Sequence, residues 1–214
     1  MSRHSEQLIA QLVDELRPIV PLHPRRGHVW AVEAAVLAVA LVVFGPGVRS
    51  DLMAGQPAPL FLVSSGIFLL LAAATSWTAI EMGRPSVGMY REGWAWATLM
   101  AALLPAAALL TLLLDLTHGH PIGVDTGGLH CLTMGTELGL VMAATLTLWL
   151  RRGAPSSPAR AGLIVGLAAG ATGIFAVSLF CPHDDIAHIG LWHGGAIALC
   201  AALGRFIVPR FIRW

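Results

Sequence analysis

The chain has 214 residues, of which 56% are hydrophobic and only 12% are charged. Its mean hydropathy is +0.73. Water-soluble domains carry about 25% charged residues, so this composition excludes an ordinary soluble domain. The net charge of +1 by itself says nothing about nucleic acid, but no soluble basic surface is expected, so no nucleic-acid partner is expected either.

In chain order, the hydropathy pattern predicts an all-α, polytopic membrane protein with six transmembrane helices. A helix needs about 20 apolar residues to cross a hydrocarbon core, and six stretches are long enough. The first stretch starts too late and is too long for a cleavable signal peptide, and five more follow it. The predicted spans are 28–48, 60–80, 94–115, 129–150, 159–180 and 186–208.

The distribution of arginine predicts the orientation of these helices. There is no lysine, and all but one of the 13 basic residues fall in or beside the segments 1–27, 81–93, 151–158 and 209–214. Only Arg49 lies elsewhere. Because basic residues concentrate on the cytoplasmic side, both termini are predicted to be cytoplasmic and the location to be a bacterial inner membrane. The predicted division is a cytoplasmic segment 1–27, a membrane domain 28–208 and a tail 209–214.

The N-terminal segment predicts a short amphipathic helix. Its apolar residues recur at helical spacing, and Pro18, Pro21 and Pro24 then favour an extended tether. Two interpretations compete: the apolar stripe binds a groove on a protein partner, or it packs on lipid or on the chain itself. The acidic opposite face favours a protein partner. The candidate partner-binding residues are Leu8, Ile9, Leu12, Val13, Leu16, Asp14 and Glu15.

Small residues at four-residue spacing predict close packing of the last two helices. Gly162, Gly166 and Gly170 lie on the fifth helix, and Gly190, Gly194 and Ala198 on the sixth. Such stripes allow helix backbones to approach closely in lipid.

Cys131 and Cys181 fall at the predicted outer ends of helices, where the periplasm is oxidising. Three interpretations remain open: a reversible redox or metal-binding site, a permanent disulfide, or no role beyond packing. Cys200 lies deep in the sixth helix and is predicted to be a packing residue.

Several polar residues near these cysteines are candidates for a metal shell. Cysteine and histidine bind zinc, copper(I) or cadmium, so a transient metal ion is expected rather than a constitutive cofactor. Glu137 and His193 are also expected to share a proton or a hydrogen bond within the bundle. The candidate residues are His130, His183, Asp184, Asp185, His188, His193 and Glu137.

The chain resembles the negative regulator of sigma F (NrsF) family. The resemblance rests on the N-terminal helix with its proline run, on Cys131, on the segment from Cys181-Pro to His193, and on the ending from Gly204 to Trp214. It implies a six-helix, non-enzymatic membrane anti-sigma factor that holds an extracytoplasmic-function sigma factor at the bilayer, alone or as an oligomer. It also implies that heavy metal or oxidant acts through Cys131 and Cys181 and releases the sigma factor.

Two other functions remain as alternatives. A membrane redox enzyme would use the cysteines with a quinone, or would bind haem b between His130 and His188. A small metal exporter would need polar groups through the whole bilayer, and the inner halves of the last three helices have almost none.

Overall fold

A computed structural model describes residues 3–14, 22–84 and 127–212, together with scattered positions between 96 and 117. All regular structure in these residues is helical, and they contain no strand. The all-α prediction is therefore confirmed for this part of the chain.

Seven helices are described with defined ends. The last of them continues to Ile212, past the predicted end of the sixth span, and contains a π-helical stretch at Ile189–His193. The helices are α1 Arg3–Asp14, α2 Pro24–Phe44, α3 Ser50–Met53, α4 Pro59–Met82, α5 Gly128–Leu150, α6 Pro158–Ser178 and α7 Ile186–Ile212.

Five of the described helices, α2, α4, α5, α6 and α7, are long and apolar enough to cross a membrane. Their bounds lie within a few residues of five predicted spans. Three of them start with a proline, at Pro24, Pro59 and Pro158, because the first helical position needs no backbone N–H donor. The predicted span 94–115 lies mostly outside the described residues, and the positions described there are helical.

Helix α6 is the centre of the bundle and is buried almost all round between α4, α5 and α7. The predicted close packing of α6 against α7 is confirmed. A Cβ atom on Gly166 would lie 2.1 Å from the carbonyl oxygen of Cys200, and one on Gly162 would lie 2.4 Å from that of Gly204. On α7 the stripe differs from the prediction, because Ala198 is exposed and Gly204 makes the contact.

The bundle has two ends with different chemistry. At one end, the Trp149 indole N–H donates to the carbonyl oxygen of Ile80 at 3.2 Å, and the Arg152 guanidinium lies 4.6 Å from the Trp30 ring. At the other end, which we call the cysteine end, the α2–α4 connection meets the α6–α7 connection. The Arg49 backbone N–H donates to the carbonyl oxygen of Leu179 there, at 2.9 Å.

Candidate functional site: a buried thiol pair with two histidines

Cys131 and Cys181 face each other at the cysteine end. Cys131 lies in the first turn of α5, and Cys181 lies in the connection between α6 and α7. The Cys131 thiol donates to the Cys181 sulfur across 3.4 Å, and both side chains are buried. A disulfide bond is about 2.05 Å long, so the two cysteines are not bonded to each other in this structure. Two residues 50 positions apart are thus held in sulfur–sulfur contact.

Two histidines of α7 complete a buried cluster around the thiols. His188 Nε2 lies 3.5 Å from the Cys181 sulfur. One ligand atom from each of Cys131, Cys181, His188 and His193 lies within 4.8 Å of the others. His193 is 2% exposed, and neither of its ring nitrogens has a hydrogen-bond partner. These four side chains, called the Cys–His cluster below, have the donor chemistry of a soft or borderline metal site.

The π-helical stretch Ile189–His193 places both histidines on one side of α7. In a regular α-helix a residue five positions on lies about 140° around the axis, so His188 and His193 would diverge. Here the Gly194 N–H donates to the Ile189 carbonyl, five residues back, and the wider turn brings the rings to 5.2 Å between centroids. Gly190, Gly194 and Gly195 lower the α-helical propensity at this turn.

The thiol pair is electrostatically asymmetric. The hydrogen bond from the Cys131 thiol holds the pKa of Cys181 well below its usual range, and His188 acts in the same direction. Burial opposes this shift but does not cancel it. Cys181 is therefore the residue of the pair that forms the thiolate, the form that reacts with oxidants and binds metal.

Arg49 connects the two loops at the cysteine end. Its Nη1 donates to the Cys181 carbonyl oxygen and to Asp184 Oδ1, both at 2.9 Å, and its Nη2 donates to Asp184 Oδ2 at 2.5 Å. Its Nε donates to Asp51 Oδ1 at 2.6 Å. These contacts raise the pKa of Arg49, chiefly through Asp184, and lower the pKa of Asp51. The guanidinium also lies 4.8 Å from the Phe61 ring.

Sequence reasoning missed the role of Arg49. In the sequence Arg49 is only the arginine that does not fit the cytoplasmic distribution, and Asp184 is a candidate for the metal shell. The structure instead pairs Asp184 with Arg49 and leaves it out of both groups of metal-ligating side chains in the described residues. The available signal was a lone arginine at the predicted outer side, two residues before Asp51.

Of the remaining candidate metal ligands, His183 and Asp185 lie beside the Cys–His cluster and His130 lies away from it. His183 stacks on His188 at 4.5 Å between ring centroids, and Asp185 caps α7 by accepting from the His188 N–H at 2.6 Å. His183, Asp185 and His188 also form a second group with ligand atoms within 4.8 Å. His130 is exposed, packs its ring near Phe180 and belongs to neither group.

The expected hydrogen bond between Glu137 and His193 does not form. Glu137 is exposed on α5, whereas His193 is buried and its ring nitrogens make no hydrogen bond. The Glu137 side chain therefore points out of the bundle, whereas the His193 side chain points into it. His130 and His188, the pair that the haem alternative would need, do not face each other, because His188 is buried in the cluster and His130 is exposed.

The N-terminal stripe forms the predicted helix. In α1 the side chains of Leu8, Ile9, Leu12 and Val13 are all about half exposed, and Asp14 is exposed at the helix end. Glu15 and Leu16 lie outside the described residues. Cys200 is buried against Gly166 and Gly170 of α6, as its prediction as a packing residue requires.

Comparison with known proteins identifies the family. The family described as negative regulator of sigma F, NrsF, matches residues 12–214. The chain belongs to the NrsF family. It is 28% identical to the anti-sigma-F factor NrsF of Caulobacter vibrioides, over 99% of this chain and 100% of that protein. It is 27% identical to the probable anti-sigma-F factor NrsF of Azospira oryzae, over 86% and 84% of the two chains. No solved structure matches the chain significantly.

Proposed function

We propose that this protein is a non-enzymatic membrane anti-sigma factor. It sequesters an extracytoplasmic-function sigma factor and releases it when heavy metal or oxidant acts on Cys131 and Cys181. The observation that carries the proposal is the contact between these two sulfur atoms in a chain that belongs to the NrsF family. The two relatives support the anti-sigma part of the proposal, because their names give that role. The similarity to this chain covers most of each relative.

Helix α1 is the proposed sigma-binding element. Its apolar stripe is exposed, and a stripe of this kind is the part of a helix that enters a groove on a partner protein. Its acidic residues include Glu6 and Asp14, and an anionic lipid surface would repel them. In this proposal α1 lies in the cytoplasm, and the Cys–His cluster lies on the periplasmic side of the inner membrane.

Oxidation of the thiol pair is a balanced two-electron step. The Cys181 thiolate attacks an oxidant of the peroxide class, and the Cys131 thiol then displaces the oxygen to form the S–S bond. Two thiols and one hydrogen peroxide yield one disulfide and two water molecules. The sulfurs must approach from 3.4 Å to about 2.05 Å, so α5 and the α6–α7 connection must shift towards each other.

This local change would act on α1 through the packing of the bundle. Helix α5 contacts α2, and the N-terminus of α2 follows the α1 segment in the chain. A shift of α5 would therefore move α2 and change the position of α1. A metal ion or an oxidant can shift the equilibrium between the sigma-binding and sigma-releasing states only if it stabilises one of these states more than the other. A difference of about 2–3 kcal/mol changes sigma occupancy about 30–150-fold.

The test is capture of the sigma factor encoded beside this protein, with and without cadmium, copper or peroxide. Capture that each stress abolishes in the wild type, but not in Cys131→Ser/Cys181→Ser, would support the proposal. Cys200→Ser is the matched control, because it removes a buried thiol outside the cluster, and it should respond like the wild type. Absence of capture under every condition would contradict the anti-sigma function.

A further inference from the structure

We propose that Cys131, Cys181, His188 and His193 form one four-coordinate site for a divalent zinc-like ion, zinc or cadmium, and that the π-helical turn of α7 creates it. The signalling consequence rests on the function proposed above, but the binding of the ion does not. In this site His193 is a metal ligand, and the residues needed for the metal signal differ from those needed for the oxidant signal.

The distances within the Cys–His cluster are close to those around a tetrahedral ion. With Zn–S bonds of about 2.3 Å and Zn–N bonds of about 2.0–2.1 Å, ligand atoms lie about 3.3–3.8 Å apart. The two sulfurs are 3.4 Å apart, and His188 Nε2 is 3.5 Å from the Cys181 sulfur. The sulfurs would move apart slightly, to about 3.8 Å, and since all four ligand atoms already lie within 4.8 Å of one another, small shifts complete the site.

The polar interaction of the His193 ring is with the Cys181 thiol, whose pKa it helps to lower, and it lacks the geometry of a hydrogen bond. His193 is 98% buried, and both of its ring nitrogens lack a hydrogen-bond partner. A buried polar group without a hydrogen bond costs free energy of folding. In addition, a π turn replaces the regular α-helical turn that would direct His193 away from His188. A bound metal ion would satisfy one ring nitrogen and account for both features.

The charge of the ligand set favours a divalent ion. In the bound form both cysteines are thiolates and both imidazoles are neutral, so the four ligands surround M²⁺ with no net charge. A neutral complex suits a site whose four side chains are all buried. The neighbouring Arg49 is paired with two carboxylates, Asp51 and Asp184, so it adds no net positive charge near the site. A monovalent copper ion would leave one negative charge in the same site.

Metal binding and disulfide formation exclude each other, because both consume the same two thiols. The ion would hold the sulfurs at about 3.8 Å, whereas the disulfide brings them to about 2.05 Å. The two signals therefore have different structural requirements. The metal signal requires all four residues, and the oxidant signal requires only the cysteines.

The experiment uses the purified, reduced full chain in detergent, titrated with Co²⁺ as a spectroscopic probe and then with Cd²⁺ in competition. The wild type should bind one Co²⁺ with intense visible bands, which report tetrahedral coordination by thiolate and imidazole. His193→Ala should lose these bands and bind Cd²⁺ at least ten-fold more weakly. His130→Ala is the matched control, since His130 lies at the same end outside the cluster, and it should behave like the wild type.

A second measurement confirms that the variant is folded. His193→Ala should still form the Cys131–Cys181 disulfide with peroxide. Cd²⁺, at a concentration that saturates only the wild type, should slow disulfide formation in the wild type and not in His193→Ala. Unchanged Co²⁺ bands or Cd²⁺ affinity in His193→Ala would overturn the four-ligand site. Loss of both metal binding and disulfide formation would mean that His193 only holds the fold, which also overturns it. None of these outcomes depends on sigma binding.

Discussion

Arg49 and Asp184 form a two-point ion pair, with Nη1 to Oδ1 at 2.9 Å and Nη2 to Oδ2 at 2.5 Å. The pair joins the loop after α2 to the connection that carries Cys181, whose carbonyl oxygen the same guanidinium also contacts. The Arg49 side chain is only 7% exposed, so the contact is better protected from solvent than a surface ion pair. Cys181 is therefore positioned by a residue 132 positions earlier in the sequence.

Loss of this ion pair should loosen the thiol pair. Arg49→Gln removes the charge and leaves Asp184 unpaired, so we expect a loss of about 1–3 kcal/mol in stability, as for hydrogen bonds to charged groups. Modification of Cys181 by a maleimide should become faster. A thermal melt in detergent and mass spectrometry measure these effects. In the double variant with Asp184→Asn the losses should be less than additive. Full additivity would contradict the pairing.

The lowered pKa of Cys181 predicts a pH profile for its reactivity. Because the Cys131 thiol stabilises the thiolate, the alkylation rate of Cys181 should stay nearly constant from about pH 8 to pH 6, where an ordinary thiol loses reactivity. Cys131→Ser keeps a hydroxyl donor and should keep the flat profile. Cys131→Ala removes the donor, so the rate should fall as the pH falls. Identical profiles for the two variants would contradict the assigned cause.

The contact between α6 and α7 predicts intolerance of a methyl group at Gly166. A Cβ atom there would lie 2.1 Å from the backbone oxygen of Cys200, which cannot move without separating the helices. We expect Gly166→Ala to destabilise the protein by more than about 2 kcal/mol. Gly66→Ala is the control, since no atom lies within 4 Å of its new Cβ, and its melting temperature should be unchanged or slightly raised.

The exposed stripe of α1 predicts which substitutions abolish sigma capture. Leu12→Glu places a charge in the stripe and should reduce capture at least ten-fold. Gln11→Glu adds the same charge on the other face and should leave capture near the wild-type level. Binding of an α1 peptide to anionic vesicles tests the lipid interpretation. Strong vesicle binding that Leu12→Glu abolishes, together with unchanged sigma capture, would favour it.

The arginine distribution predicts the membrane topology. Alkaline phosphatase fused after Trp214 should be inactive, and green fluorescent protein at the same position should fluoresce. Alkaline phosphatase inserted near residue 123 should be active, because that segment is predicted to be periplasmic. The reverse pattern would place the Cys–His cluster on the cytoplasmic side.

The helices could be predicted from the sequence because each one is a long apolar stretch with polar or proline residues at its ends. A membrane helix satisfies its own backbone hydrogen bonds, so its existence depends on local sequence alone. The same holds for α1, whose stripe is a local periodicity, and for Gly166, whose spacing from Gly162 and Gly170 indicates a packing face.

The composition of the site was decided only by the tertiary structure. His188 and His193 are five residues apart, a spacing that points to opposite sides of an α-helix, and the π turn reverses this. Asp184 pairs with Arg49, which lies 135 positions earlier in the sequence, and no local sequence pattern indicates this contact. Glu137 and His130 were expected at the site from their depth in the bilayer, but depth does not determine direction around a helix. Helix rotation and loop contacts depend on how the helices pack, and a one-dimensional pattern does not contain that information.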